Sequence, residues 1–155
     1  MYVTSGMERF AHKDTELALV IGHEIAHNIL EHITKKNSNT ALGTIADILI
    51  TSAIAVTTGA VVNTGNIFQG IGAKAHSKEF EAEADYAGLY IVARGGYNIN
   101  NVADFWRKMG TETPSSIEKN YSSSHPSSAE RFIAIDKAIN EINIKKQKGS
   151  QIIPD

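Results

Sequence analysis

Two histidines and a glutamate stand in VIGHEIAHNILEH, residues 20–32, at spacings that suit a metal ion. His23 and His27 are four apart, so on an α-helix they lie one turn from each other and about 40° apart around the axis. Two imidazole nitrogens so placed can take one small cation. Glu24 follows His23 and lies about 100° around the axis, beside such a cation rather than on it. A carboxylate there can take a proton from a water that the metal polarises, and zinc lowers the pKa of that water to roughly 7. His-Glu-x-x-His is the metalloprotease signature for these reasons. The flanks Val20, Ile21, Ile25, Ala26 and Ile29 are apolar, which implies a mostly buried helix. Unpaired histidine and glutamate would be costly there.

Catalytic zinc usually takes three protein ligands and leaves one position open, so a third ligand must come from elsewhere. His32 does not supply it. The metzincin pattern needs glycine where Leu30 stands and histidine where Ile33 stands. On a continuing helix His32 would sit about 180° around the axis from His23, so it and Glu31 read as surface residues outside the site. The dense acid cluster downstream is SKEFEAEAD, residues 77–85. Glu81 and Asp85 form one i, i+4 pair, and Glu79 and Glu83 form another. The stripe through Glu81 and Asp85 continues to Gly88 and Val92, a small apolar track on which another helix can approach closely. The stripe through Glu79 and Glu83 continues to Tyr86 and Tyr90, which suits a wetter face. Glu81 is therefore the expected third ligand, with Asp85 accepting the other N–H of a ligating histidine. The competing reading leaves all four acids solvated.

These groups need helices to hold them. Asp14 reads as the N-cap of a helix from Thr15 to His32, with Glu16 in its first turn and an apolar stripe of Leu17, Ile21, Ile25 and Ile29. Ser77 reads as the N-cap of a second helix, stopped by Gly95 and Gly96. A third spans about Asn101 to Met109 and ends at Gly110. After the polar loop TETPSSIEKNYSSS, Ser127 to Glu130 has the form of a capping box. It opens a long helix with Phe132, Ile135, Ile139 and Ile142 on one stripe. Residues 41–75 are rich in Ala, Gly, Thr and Ile, and Asp47 is their one charge before Lys74. The apolar stretch Ile48 to Val62 falls short of the roughly 20 residues that span a bilayer. It reads as a buried or lid-like helical hairpin, with a membrane-dipping segment as the alternative. Tyr2, Val3 and Thr4 read as the end of an edge strand running into a turn at Gly6, as if cut from a longer protein. The expected fold is mainly α, in the α+β zincin manner, with one domain over residues 1–155.

Composition excludes several other classes. The chain has 155 residues, 42% hydrophobic and 21% charged, which is ordinary for a globular domain. A net charge of −2, with no basic stripe beyond the short KKQK, argues against a nucleic-acid partner. The absence of cysteine removes disulfides, thiolate metal sites and cysteine nucleophiles.

His-Glu-x-x-His followed by Ser-x-x-x-Glu-x-Glu-Ala-Asp resembles the zinc peptidase family that includes the HtpX-type heat-shock proteases and the CAAX prenyl endoprotease. The resemblance runs in order through VTSGMERF, DTELALVIGHEIAHNILEH, SKEFEAEADYAGL and SSSHPSSAERF. It is strongest to the soluble or periplasmic branch (BepA and LoiP types) and its mitochondrial relative. It implies a gluzincin site, with one Zn2+ held by His23, His27 and Glu81, Glu24 as base, and Asp85 behind a ligand. It further implies a metalloendopeptidase acting on unfolded or misfolded polypeptides in the cell envelope or periplasm. Membrane association would run through residues 41–75 or an anchor upstream. His125 and Arg131 match the family's SSSHP segment and the arginine six residues on, and both are candidates to stabilise the oxyanion. Alternatively His125 shapes the turn before Pro126 while Arg131 pairs with a nearby acid, or His125 takes the open metal position and holds the enzyme latent. A rival reading makes the chain a zinc-binding, proteolytically latent chaperone or interaction module. His12 and His76 read as surface residues.

Overall fold

The structure, a computed structural model, describes residues 2–38, 41, 44, 77–112 and 129–155. The chain divides into two compact units: residues 1–30 with 78–155, and residues 31–77. In the first unit lie α1 (Ser5–Phe10), α2 (Asp14–Ile29), α4 (Ser77–Arg94) from Lys78 onward, α5 (Val102–Glu112) and α6 (Ala129–Gln147). In the second, residues 32–38 are helical and form α3. The described residues contain no β-strand.

The expected edge strand is a helix start instead. Thr4 is extended, with φ −80° and ψ 150°, and its hydroxyl oxygen accepts the Met7 N–H at 3.1 Å. That satisfies one of the free amides of a helix N-terminus, so the extended residue caps α1 and Gly6 lies inside it. At α2 the cap is Lys13, with no side-chain bond, and Asp14 falls in the first turn. There its charge still suits the positive end of the helix dipole. The helix also ends earlier than its apolar pattern suggests. Leu30 closes it, and Glu31 takes φ 56°, a left-handed conformation that breaks the helical run before α3 begins. His32 consequently leaves the track of α2, and it is buried rather than at the surface.

The face that α2 buries differs from its large apolar stripe. Leu19, Gly22, His23 and Ala26 are buried. Leu17, Ile21 and Ile25 are only half-buried and line an open groove of about 330 Å³ with Ile91 and Tyr97, and Ile29 is exposed. The two faces lie about 130° apart around the axis. Small residues occupy the inner face because α4 crosses there backbone to backbone. A Cβ added to Gly22 would stand 2.9 Å from the Gly88 carbonyl oxygen, and one added to Gly88 would stand 2.9 Å from the His23 amide nitrogen. Val92 also meets Gly22, so the two helices run antiparallel through the crossing.

α5 and α6 close the other side. Leu89, Val92 and Ala93 of α4, Val102, Phe105 and Trp106 of α5, and Ile135, Ala138, Ile139 and Ile142 of α6 form the core, with Leu19 of α2. α5 passes through Gly110, which is buried, and continues to Glu112 rather than stopping at the glycine. Tyr90, expected on a wet face, is buried too. Its hydroxyl and that of Tyr86 both donate to Glu141 Oε1, the latter at 2.9 Å, and Lys145 joins the same oxygen at 2.9 Å. This polar knot fastens α6 to α4. Ser127, Ser128, His125, His76 and the insert at 41–75, apart from Ala41 and Thr44, lie outside the described residues. Among the described residues, no helix is long and apolar enough to cross a membrane.

The crossing yields a test. Gly88→Ala must push backbone against backbone, since no flexible side chain can yield at either the His23 nitrogen or the Gly22 carbon. Overpacking of that kind costs about 1–3 kcal/mol, and each kcal/mol lowers Tm by about 2–4 °C at this size. A melting curve should show a fall of several degrees; a wild-type Tm would refute so tight a contact.

Candidate metal centre

The antiparallel crossing carries His23 and His27 of α2 onto Glu81 of α4. The Nε2 atoms of the two histidines are 3.0 Å apart. Glu81 Oε2 lies 3.4 Å from His23 Nε2, and Oε1 lies 3.3 Å from His27 Nε2. These three side chains form the one metal-capable group among the described residues. Ligands roughly 2.0–2.1 Å from a tetrahedral zinc stand about 3.3 Å from one another, so the donor spacing already fits such an ion. His23 and Glu81 are buried and His27 is half-buried, which turns the open side of the group toward His27.

Behind the group lies an ionic lattice. Asp85 Oδ1 sits 2.9 Å from His23 Nδ1. Nδ1–H donation to that carboxylate fixes the tautomer, leaving the Nε2 lone pair directed at Glu81 and His27. Arg131 of α6 grips the same Asp85 with two prongs, Nε to Oδ2 at 2.7 Å and Nη2 to Oδ1 at 2.9 Å. Its third nitrogen, Nη1, reaches Glu81 Oε2 at 3.0 Å. Asp85 and Arg131 are both buried. Burial works against the charge on His23, but the hydrogen bonds and charges of Asp85 and Glu81 outweigh it and push the imidazole up to about 9. The same balance holds Arg131 above its ordinary value, with burial opposing and the two acids prevailing. The pocket thus calls for positive charge at Nε2, which a cation supplies as well as a proton does.

Each expected residue has a definite place. His23, His27 and Glu81 converge, Asp85 sits behind His23, and Glu24 is half-buried on the same helix. Glu79 and Glu83 are exposed on the far face of α4, while Glu31 and His32 do not belong to the metal-capable group. His12 is exposed, its amide donating to Glu16 at 2.8 Å. Arg131 lies on carboxylates, in the arrangement that pairs it with nearby acids. His125 lies outside the described residues. Sequence reasoning missed Trp106, whose ring meets His23 at 5.3 Å between centroids and lies 5.8 Å from the Arg131 Cζ. Its place on the buried face of α5 was the available signal, and that signal reads equally as core.

Comparison with known proteins bears on this arrangement. The model of Peptidase family M48 matches residues 1–139. The chain is 24% identical over 151 residues to the mitochondrial metalloendopeptidase OMA1 of Schizosaccharomyces pombe, covering 95% of this chain and 43% of that protein. It is 26% identical over 146 residues to mitochondrial metalloendopeptidase OMA1 of Arabidopsis thaliana, covering 94% and 28%. A putative beta-barrel assembly-enhancing protease of Vibrio cholerae is 27% identical over 115 residues, covering 70% and 24%. The chain therefore spans less than half the length of these relatives. No solved structure matches it significantly.

Removing the carboxylate behind His23 tests the lattice. Asp85→Asn keeps the shape but withdraws the charge and one of the two acceptor oxygens that His23 and Arg131 share, so metal affinity should fall about 10- to 100-fold. Competition against a chromophoric chelator measures this, with the exposed Glu83→Gln as a control expected to bind as wild type.

Proposed function

The chain belongs to peptidase family M48, and from that membership we propose that it is a zinc-dependent metalloendopeptidase. The observation that carries the reading is the convergence of His23, His27 and Glu81, with Glu24 one residue along the same helix. In this reading the three converging side chains hold one Zn2+. Bound zinc supplies a Lewis acid that brings water near a pKa of roughly 7 and polarises a carbonyl.

The chain's own residues do the rest. Glu24 takes the proton of the attacking water and returns it to the leaving amine, the two halves of general acid–base catalysis. Asp85 keeps His23 in one tautomer, and Arg131 holds Asp85 and Glu81 against reorientation. That engagement of all three guanidinium nitrogens supports a holding role for Arg131, in place of the oxyanion role suggested by resemblance. The oxyanion donor is then assigned to His125. The half-exposed edge at His27 is where an extended polypeptide would meet the site.

We take unfolded or misfolded proteins as the substrates, with quality control of an envelope or organelle as the setting. The names of the relatives support the setting alone: the OMA1 proteins are mitochondrial metalloendopeptidases, and the Vibrio protein is named for beta-barrel assembly. Glu24→Gln should retain zinc and lose about 10²- to 10⁴-fold of casein-cleaving activity. Chelation should abolish cleavage by the wild type, and added Zn2+ should restore it. A wild-type chain that binds zinc yet cleaves no faster than Glu24→Gln would leave the rival reading, a latent interaction module.

A further inference from the structure

Trp106 is the chain's single tryptophan, and it lies against the metal-capable group without contributing a ligand. It is 8% exposed, on α5, a helix that supplies none of the converging side chains. Its ring meets the His23 imidazole edge-on, at 5.3 Å and 62°, and the Arg131 guanidinium carbon stands 5.8 Å from its centroid. Its neighbour Phe105 is equally part of the core, its ring meeting Phe10 of α1 at 5.5 Å and Trp106 itself at 5.8 Å. Of the two adjacent aromatics, Trp106 is the one whose ring meets His23.

Filling space does not account for an indole here. Its Nε1 is buried and has no hydrogen-bond partner among the described residues. A buried N–H left unpaired is a standing cost that phenylalanine or leucine would not carry. What the ring provides is a flat wall shared by two members of the site. The Asp85 hydrogen bond holds the Nδ1 edge of the His23 ring, and His27 meets the ring edge-on at 4.6 Å between centroids. The indole bounds the imidazole from α5 and narrows its rotation further. The same indole attracts the Arg131 cation, and Arg131 in turn holds Asp85 and Glu81.

We propose that Trp106 is a positioning residue of the metal centre, setting the plane of His23 and backing Arg131, so that metal affinity depends on an aromatic ring at this position. The proposal rests on the metal-centre reading above.

The test uses the 155-residue chain and the variants W106F, W106L, W106M and F105L. Each is titrated with Zn2+ against a chromophoric chelator and with Co2+ while visible absorption is recorded, with circular dichroism and melting curves alongside. W106F should keep zinc affinity within about threefold and the wild-type cobalt spectrum, whereas folded W106L and W106M should bind zinc at least about tenfold more weakly and alter the cobalt bands. F105L should melt lower but keep both affinity and spectrum, which separates positioning from general loss of core. In the wild type, stoichiometric Co2+ should quench the tryptophan emission, a reading that needs no variant to fold. Wild-type affinity in W106L or W106M, an equal loss in F105L, or unquenched emission at saturating Co2+ would each overturn the proposal. A wild-type chain that binds no zinc would instead overturn the metal centre, and this inference with it.

Discussion

Everything at the candidate site hangs on the contact between two stretches of bare backbone. Gly22 and Gly88 let α2 and α4 touch where any side chain would collide with main-chain atoms. The positions of the candidate ligands follow from that contact by helix arithmetic. His23 is next to Gly22, and His27 is one turn further along α2. Glu81 lies two turns from Gly88 on the same face of α4, with Asp85 between them. Because the helices run antiparallel, stepping up one means stepping down the other, and the pairs His23–Asp85 and His27–Glu81 meet in register. Widening the crossing would carry Glu81 away from both histidines at once.

Close approach creates an electrostatic problem that the other helices solve. Glu81 and Asp85 bring two carboxylates into a dry crossing, where unpaired charge is severely penalised. Arg131 answers both at once, with a fork on Asp85 and its remaining nitrogen on Glu81, a geometry that lysine could not supply. α6 can deliver it because Glu141 and Lys145, farther along the same helix, are tied to Tyr86 and Tyr90 of α4. One polar knot therefore sets the height of α6, and the guanidinium follows. The price of burying three charged groups is offset only as a set, and removing any one leaves the others stranded.

The sequence revealed this arrangement unevenly. The convergence of His23 and His27 was legible because their relation is local, fixed by the helical repeat alone. Glu81 was legible through an indirect sign, the track of small residues ending at Gly88, which marks where a neighbouring backbone can come close. Arg131 was visible as a residue but not in its contacts, since it stands 46 positions from Asp85 and no periodicity relates the two. Trp106 was invisible for the same reason. The edge strand at Tyr2–Thr4 and the long α2 failed for local reasons: one extended threonine that serves as a cap, and one left-handed residue at Glu31. Neither interrupts the apolar pattern.

The misread face of α2 holds the more general point. Leu17, Ile21, Ile25 and Ile29 make the larger apolar stripe, yet the tightly packed side of the helix is the one with Leu19, Gly22, His23 and Ala26. Hydrophobic burial scales with area, so the large residues dominate any reading by periodicity. A metal gripped by two helices imposes the opposite demand, because the ligand atoms must come within about 3.3 Å of one another and their backbones must approach first. Small residues flanking a histidine or a glutamate at whole-turn spacing are thus the sign of such a grip. In this chain they distinguish Glu81 from Glu79 and Glu83, whose stripe leads to tyrosines instead.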